Sequence, residues 1–174
     1  MTTPTDPPIA SLPQGDVRLL QAPAAQDLLQ QAIPARLAYI APDGTPRIVP
    51  TWFHWTGDEV VMATWLSGPQ VVRPARRIDH LRQNPAVAVS IDTHDQPPTV
   101  LQIRGRATVD DVKGIVDEYA RSAERYLGPD AGKQYIAQFD PAEVRMARLA
   151  VRPEWVGLLD FSARLPEPIG GVQT

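Results

Sequence analysis

Between residues 37 and 65 three apolar, β-prone runs alternate with two turn signals, and no other feature constrains the fold as strongly. LAYIA (37–41) leads into PDGT (42–45), a turn tetrapeptide whose glycine suits positive φ. RIVPTWFHW (47–55) resumes the extended pattern, and TGD (56–58) turns it into EVVMATW (59–65). Connections this short join antiparallel neighbours, so the segment predicts a three-stranded meander. AVAVSID (86–92), TVLQIRGRATV (99–109), VRMARLAV (144–151) and EWVGLLDF (154–161) read as further strands, the second with one face turned inward. Mostly antiparallel strands in this number call for a closed or partly closed barrel, since closure removes exposed edges. The expected class is β-dominated α+β, an antiparallel barrel with peripheral helices.

The helices are fewer. A short one is expected over 24–32, ending before Pro34, and an arginine-studded one over ARRIDHLRQ, with Ile78 and Leu81 on one face and Asn84-Pro85 as its stop. The stripe Val112, Ile115, Val116, Tyr119, Ala123, Tyr126 and Leu127 predicts a helix over 111–127 that ends at Gly128-Pro129, followed by another over 131–139. The Pro/Thr-rich opening has no periodicity and reads as a flexible or surface-draped arm, 1–22, ahead of one domain, 23–165, and a Pro/Gly tail, 166–174.

Composition narrows the chemistry. The 174 residues, 43% of them hydrophobic, can bury a core without staples. With no cysteine and only His54, His80 and His94, scattered through different segments, thiol catalysis and a metal site both drop out. A net charge of -3 gives no field that would gather nucleic acid. The first fifteen residues have no basic and apolar leader regions, and no apolar run is long enough to span a bilayer, so a cytoplasmic, non-membrane protein is expected. All basic residues except Lys113 and Lys133 are arginine, which a GC-rich coding sequence explains without a functional cause.

The ordered set ARLAYIAPDGTPRIVPTWFHWTGDEVVMAT, ARRIDHLRQNPAVAVSID, LQIRGRATV, the helix ending in RYLG, and VRPEWVGLLDF resembles the pyridoxamine 5'-phosphate oxidase-like split-barrel superfamily over about residues 33–165. Within that superfamily it is most similar to the flavin and deazaflavin-dependent oxidoreductases. The resemblance implies a split β-barrel, a homodimer with the cofactor cleft at its interface, and FMN as cofactor, with the deazaflavin coenzyme F420 as the alternative. It also implies site residues. Arg47 would hold the flavin phosphate, and Val49, Pro50, Thr51 and Trp52 would run along the edge of the tricyclic ring. Ala63 and Thr64 would meet the ribityl-phosphate chain. Arg76 and Arg77, near a helix start, would be the basic pair on the phosphate. Gln102 would face the ring, and Trp155 and Arg164 would reach the partner subunit's cofactor, although the His-Asp that precedes this arginine in the family is missing here.

The residue types suit those roles: a guanidinium offers phosphate a bidentate fork, and an aromatic wall suits a planar heterocycle. His54 between two tryptophans reads as packed structure, and Tyr119, Tyr126 and Tyr135 as core or interface. No acid-base dyad stands out, and no residue is assigned a catalytic role; the cofactor would carry the hydride chemistry to or from a small organic substrate. Trp52 stands where the family's phosphate oxidases use a lysine on their substrate's phosphate, so an uncharged or planar substrate is expected. A flavin- or haem-binding protein without turnover is the expectation's rival from another class.

Overall fold

The computed structural model describes residues 8–73 and 75–162. Its strands are β1 (Ala35–Ile40), β2 (Pro46–Thr51), β3 (Phe53–Trp55), β4 (Val60–Ser67), β5 (Ala86–Asp92), β6 (Thr99–Lys113) and β7 (Arg145–Asp160). They form one antiparallel sheet in the order β2-β1-β5-β6-β7-β4-β3. Only Trp52 separates β2 from β3, yet these two strands are the opposite ends of the sheet. A one-residue joint brings the ends together only if the sheet curls on itself. The result is a split barrel: β2 and β3 do not pair, and the ladder stays open at the seam marked by Trp52.

The expected meander is therefore corrected to two hairpins, β1–β2 and β3–β4, divided at the seam. Prolines explain why β2 ends the sheet. Pro46 and Pro50 have no N–H to give a second neighbour, and a strand carrying them is confined to an edge. Phe53 then enters the interior and is fully buried. Val87, Val89 and Ile91 of β5 and Leu101 and Ile103 of β6 face the same core, alternating with the half-exposed Ala88, Ser90 and Gln102 outside.

Two other expectations change. Residues 144–151 and 154–161 form one continuous strand through Pro153, which sits opposite Gly105 where the β6–β7 register shifts. The bulge removes the need for a proline N–H, and Gly105 is required there, since a Cβ would stand 2.2 Å from the Arg152 carbonyl oxygen. Residues 111–113 remain strand and do not begin the helix, because Asp111, Val112 and Lys113 pair with Ala147, Met146 and Arg145 while Arg82 bridges to Asp111. Tertiary pairing overrides helical periodicity here. The helices are α1 (Pro23–Gln30), α2 (Arg77–Gln83), α3 (Asp117–Leu127) and α4 (Pro129–Ile136). The helices α3 and α4 form the connection between β6 and β7.

From residue 8 onward the N-terminal arm is a fitted strap. Leu12, Leu19, Leu20 and Ala22 are buried in the core cluster, so the arm belongs to the domain. Beyond Val151, β7 pairs only with β6, and the strap takes its other edge: Gly15 N–H donates to the Val156 carbonyl at 2.7 Å, while the Gln14 amide donates to Leu158 O at 2.9 Å and accepts from Leu158 N–H at 2.8 Å. Apolar residues among the prolines carry this docking, and their spacing has no helical or strand period. Replacing Gln14 by alanine is expected to lower the urea midpoint by the equivalent of about 1 kcal/mol with no change in slope. An unchanged midpoint would show that the strap's side-chain bonds add nothing.

Candidate functional site

A cleft of about 520 Å³ opens along the seam. Pro50, Thr51 and Trp52 form one side, Ala63, Thr64 and Trp65 of β4 the floor, residues 70–73 and Arg77 one end, and Tyr119 and Tyr135 the other wall. Of the residues implicated by sequence, Pro50, Thr51, Trp52, Ala63, Thr64 and Arg77 meet here.

At the cationic end the Arg77 guanidinium donates to Thr64 Oγ1 at 2.6 Å. Burial pulls the Arg77 pKa below its ordinary value, yet arginine stays charged near neutrality. Among the described residues no carboxylate lies within ion-pair distance of it, nor of Arg73 or Arg76. Several other arginines pair with carboxylates, Arg36 with Asp92, Arg82 with Asp111, Arg148 with Glu118 and Glu59, Arg152 with Asp58, whereas the partly buried Arg125 is held by two backbone carbonyls and Arg77 by one hydroxyl. A partly buried guanidinium left without a counter-charge is costly unless an anion arrives. Arg73 lines the cleft beside it, and the exposed Arg76 precedes α2. Seven-residue α2 starts at Arg77 itself, so an anion placed here would be attracted mainly by the guanidinium groups and little by the helix dipole.

The opposite wall is aromatic. Trp52 stacks on Tyr126 with centroids 5.1 Å apart and planes 5° apart, and on Tyr119 at 6.0 Å; Trp65 packs edge-on to Tyr119 and against Phe139. The Tyr119 and Tyr135 hydroxyls are 3.0 Å apart. Burial, reinforced by the bond to Tyr135, pushes the Tyr119 pKa well above the ordinary phenol range, so its proton stays on. Gly132 makes this pairing possible, because a Cβ there would stand 2.4 Å from Glu124 Cα and force α4 away from α3. Behind the wall, Arg125 ties the seam to the body of the protein. Its guanidinium donates to the carbonyls of Leu29 (2.7 Å) and Phe53 and lies over the Phe53 and Tyr126 rings, while the Tyr126 hydroxyl donates to Ile33 O at 2.7 Å.

The other implicated residues lie elsewhere. Arg47 is exposed at the β1–β2 turn, where it pairs with Asp43 at 2.8 Å and also bonds Thr45. The Thr45 hydroxyl and amide, with Arg47 adding, hold the Asp43 pKa down at about 2. Val49 packs against the core. Gln102 is on the outer face, in a shallow groove of about 240 Å³ with Ile48, Ala38 and Ala88, and Ile48 is 70% exposed there. Trp155 is on the same side of the sheet, stacked under the Arg104 guanidinium at 3.9 Å and beside Gly15 of the strap. Arg164 lies outside the described residues. His54 sits behind β3 with Asp117, Glu118 and Arg121, away from the seam, and its pKa is lowered by desolvation and then by Arg121 and Arg125. Among the described residues no cluster of His, Asp or Glu could hold a metal, and no helix is long and apolar enough to cross a membrane.

Trp65, Tyr119 and Tyr135, with the loop residues Gln70, Val71, Val72 and Ala75, line the cleft without any sequence pattern that points there. The seven-residue spacing of Tyr119 and Tyr126 puts them on one helical stripe, but nothing in the sequence says that this stripe faces the seam.

The family model for pyridoxamine 5'-phosphate oxidase matches residues 22–159, from the end of the strap almost to the end of β7. The chain belongs to this family. No curated protein matches it in sequence. Among solved structures it is similar to an F420 reductase, at 26% identity over 76% of this chain and 94% of that one, with a TM-score of 0.55. A conserved hypothetical protein of Mycobacterium tuberculosis shares the fold at 20% identity, over 88% and 94% of the two chains, with a TM-score of 0.60. General Stress Protein 26 of Bacillus anthracis does so at 14% identity, over 83% and 95%, with a TM-score of 0.54. The pyridoxamine 5'-phosphate oxidase fold is thus common to proteins with different names, and the split-barrel expectation is met by this open seven-stranded sheet.

Proposed function

We propose that this member of the pyridoxamine 5'-phosphate oxidase family is an oxidoreductase that binds FMN in the seam cleft and acts on a small organic substrate. The observation that carries the reading is Arg77: a partly buried guanidinium, bonded only to Thr64 and free of any carboxylate among the described residues, at one end of a cleft whose other walls are aromatic. A phosphate-bearing, planar cofactor matches both ends. Thr64 and Arg77, with Arg73 and Arg76 beside them, would hold the phosphate, and the Pro50-Thr51-Trp52 backbone and the indole would border the ring. When bound, such a cofactor supplies hydride transfer. The protein's own contribution is orientation, charge neutralisation and partial exclusion of water. Coenzyme F420 is the second reading, favoured by the F420 reductase neighbour and by the two further uncompensated cations, which would suit a longer anionic tail.

We further propose a homodimer formed through the outer groove, which exposes Ile48 and carries Gln102, so that Gln102 and the Trp155 side of one subunit approach the seam of the other. A monomer at micromolar concentration that binds cofactor fully would contradict this.

The test of function is titration of apo-protein with FMN, FAD and F420, followed by tryptophan fluorescence. Saturable quenching by FMN or F420 is expected, because Trp52 and Trp65 line the cleft. Binding by neither would overturn the reading, and a bound cofactor that no reductant can turn over would make the protein a carrier. Pyridoxamine and pyridoxine phosphates are expected to be poor substrates, with kcat/KM below about 10⁴ M⁻¹s⁻¹. Trp52 places one indole N–H and a large ring where a substrate phosphate would need an ammonium.

A further inference from the structure

The Tyr119–Tyr135 pair has one proton too many for the protein to satisfy. Two hydroxyls 3.0 Å apart share one hydrogen bond, so whichever phenol donates, the other keeps an O–H. Among the described residues neither has an acceptor for that second proton; the remaining neighbour, the Trp65 indole, is itself only a donor. The pair lines the cleft and sits against Trp52, stacked at 6.0 Å from Tyr119 and edge-on at 6.1 Å to Tyr135. A polar group in such a place is satisfied by water or by a ligand.

The surroundings restrict that ligand. Among the described residues no carboxylate lines the cleft, and Arg73 and Arg77 repel a cation. An anion would be drawn to the arginine end of the cleft and away from the tyrosine pair. What remains is a neutral, flat molecule with an acceptor atom: its faces against indole and phenol rings, its oxygen taking the spare O–H. Burial raises the phenol pKa of Tyr119, which keeps that proton in place throughout the physiological range.

We infer that Tyr119 and Tyr135 together form the donor site for the substrate, and that the substrate is an uncharged planar compound bearing a carbonyl-type oxygen. This rests on the reading that a cofactor occupies the Arg77 end of the same cleft. Close packing of α4 on α3 at Gly132 fixes the pair without using either hydroxyl.

The experiment uses three probes on one scaffold: 1-indanone, its carbonyl-free parent indane, and 1-aminoindane, which is a cation. Their affinities are measured by calorimetry on wild type, Tyr119→Phe, Tyr135→Phe and the double variant, each with and without saturating cofactor. Wild type should prefer 1-indanone over indane by roughly fivefold to tenfold, the scale of one neutral hydrogen bond, with 1-aminoindane weakest. The preference should vanish in the double variant while indane binding, which uses only the rings, is retained. Equal binding of 1-indanone and indane by wild type, strongest binding of 1-aminoindane, or a preference that survives in the double variant would each overturn the inference. The two readings fail separately. Cofactor binding without any carbonyl preference sinks the donor site alone, and a carbonyl preference without cofactor binding sinks the cofactor assignment alone.

Discussion

An Arg125→Met variant is expected to melt on the order of 10 °C below wild type. The guanidinium satisfies the carbonyls of Leu29 and Phe53 and lies over the rings of Phe53 and Tyr126, which are 4.3 and 5.0 Å from its central carbon. Methionine fills part of the volume but donates nothing. Two buried acceptors then lose their partners at about 1–3 kcal/mol each, and the cation–ring contacts add about another 1 kcal/mol. The total, about 3–7 kcal/mol, at roughly 2–4 °C per kcal/mol in a chain of this size puts the shift on the order of 10 °C. Because Phe53 follows Trp52 directly, the damage falls on the seam, and tryptophan fluorescence should change before the far-ultraviolet circular dichroism does. A melting point within a degree or two of wild type would mean that water replaces the guanidinium at little cost.

Arg77→Met is expected to do the reverse. It removes a partly buried charge with no carboxylate partner among the described residues, so the apo-protein should be as stable as wild type or more so. Cofactor affinity should fall tenfold to a hundredfold, about 1.5–3 kcal/mol for a charge-assisted bond to phosphate. Arg47→Ala is the control, since that guanidinium is engaged by Asp43 and Thr45 at an exposed turn, and its loss should weaken binding less. Parallel melts and fluorescence titrations of the three proteins decide the matter. An Arg77 variant that loses stability and keeps its cofactor would make Arg77 a structural residue.

Much of the fold was legible in the sequence because its signals are local. PDGT and TGD mark turns, alternation in TVLQIRGRATV marks a half-buried strand, and Asn84-Pro85 stops a helix. The errors arose where distant pairing decides. Residues 111–113 carry a helical stripe but are held as strand by β7, Pro153 looks like a strand break but sits at a bulge, and the aperiodic strap docks through isolated leucines. The site divided along the same line. RIVPTW and Thr64 lie on the seam strands, so motif order located six residues of the cleft. Tyr119, Tyr135 and Trp65 reach it through the packing of α3 and α4, which no short-range pattern encodes. Arg47 has the right residue type in the right motif, yet its guanidinium turns toward the nearest carboxylate.

The last rung of the β6–β7 ladder joins Lys113 to Arg145, so everything between them, including α3 and α4, is one long excursion from a single hairpin. That excursion provides Tyr119 and Tyr135, while the arginine end of the cleft comes from β4, α2 and the loop between them. On the proposed function, substrate preference and cofactor anchoring would be encoded in separate stretches of the chain. Exchanging residues 114–144 among relatives would reshape one wall and leave the barrel ladder and the arginines as they are. A lineage built this way can alter one wall of its cleft by editing a cassette, at little risk to the barrel that carries it.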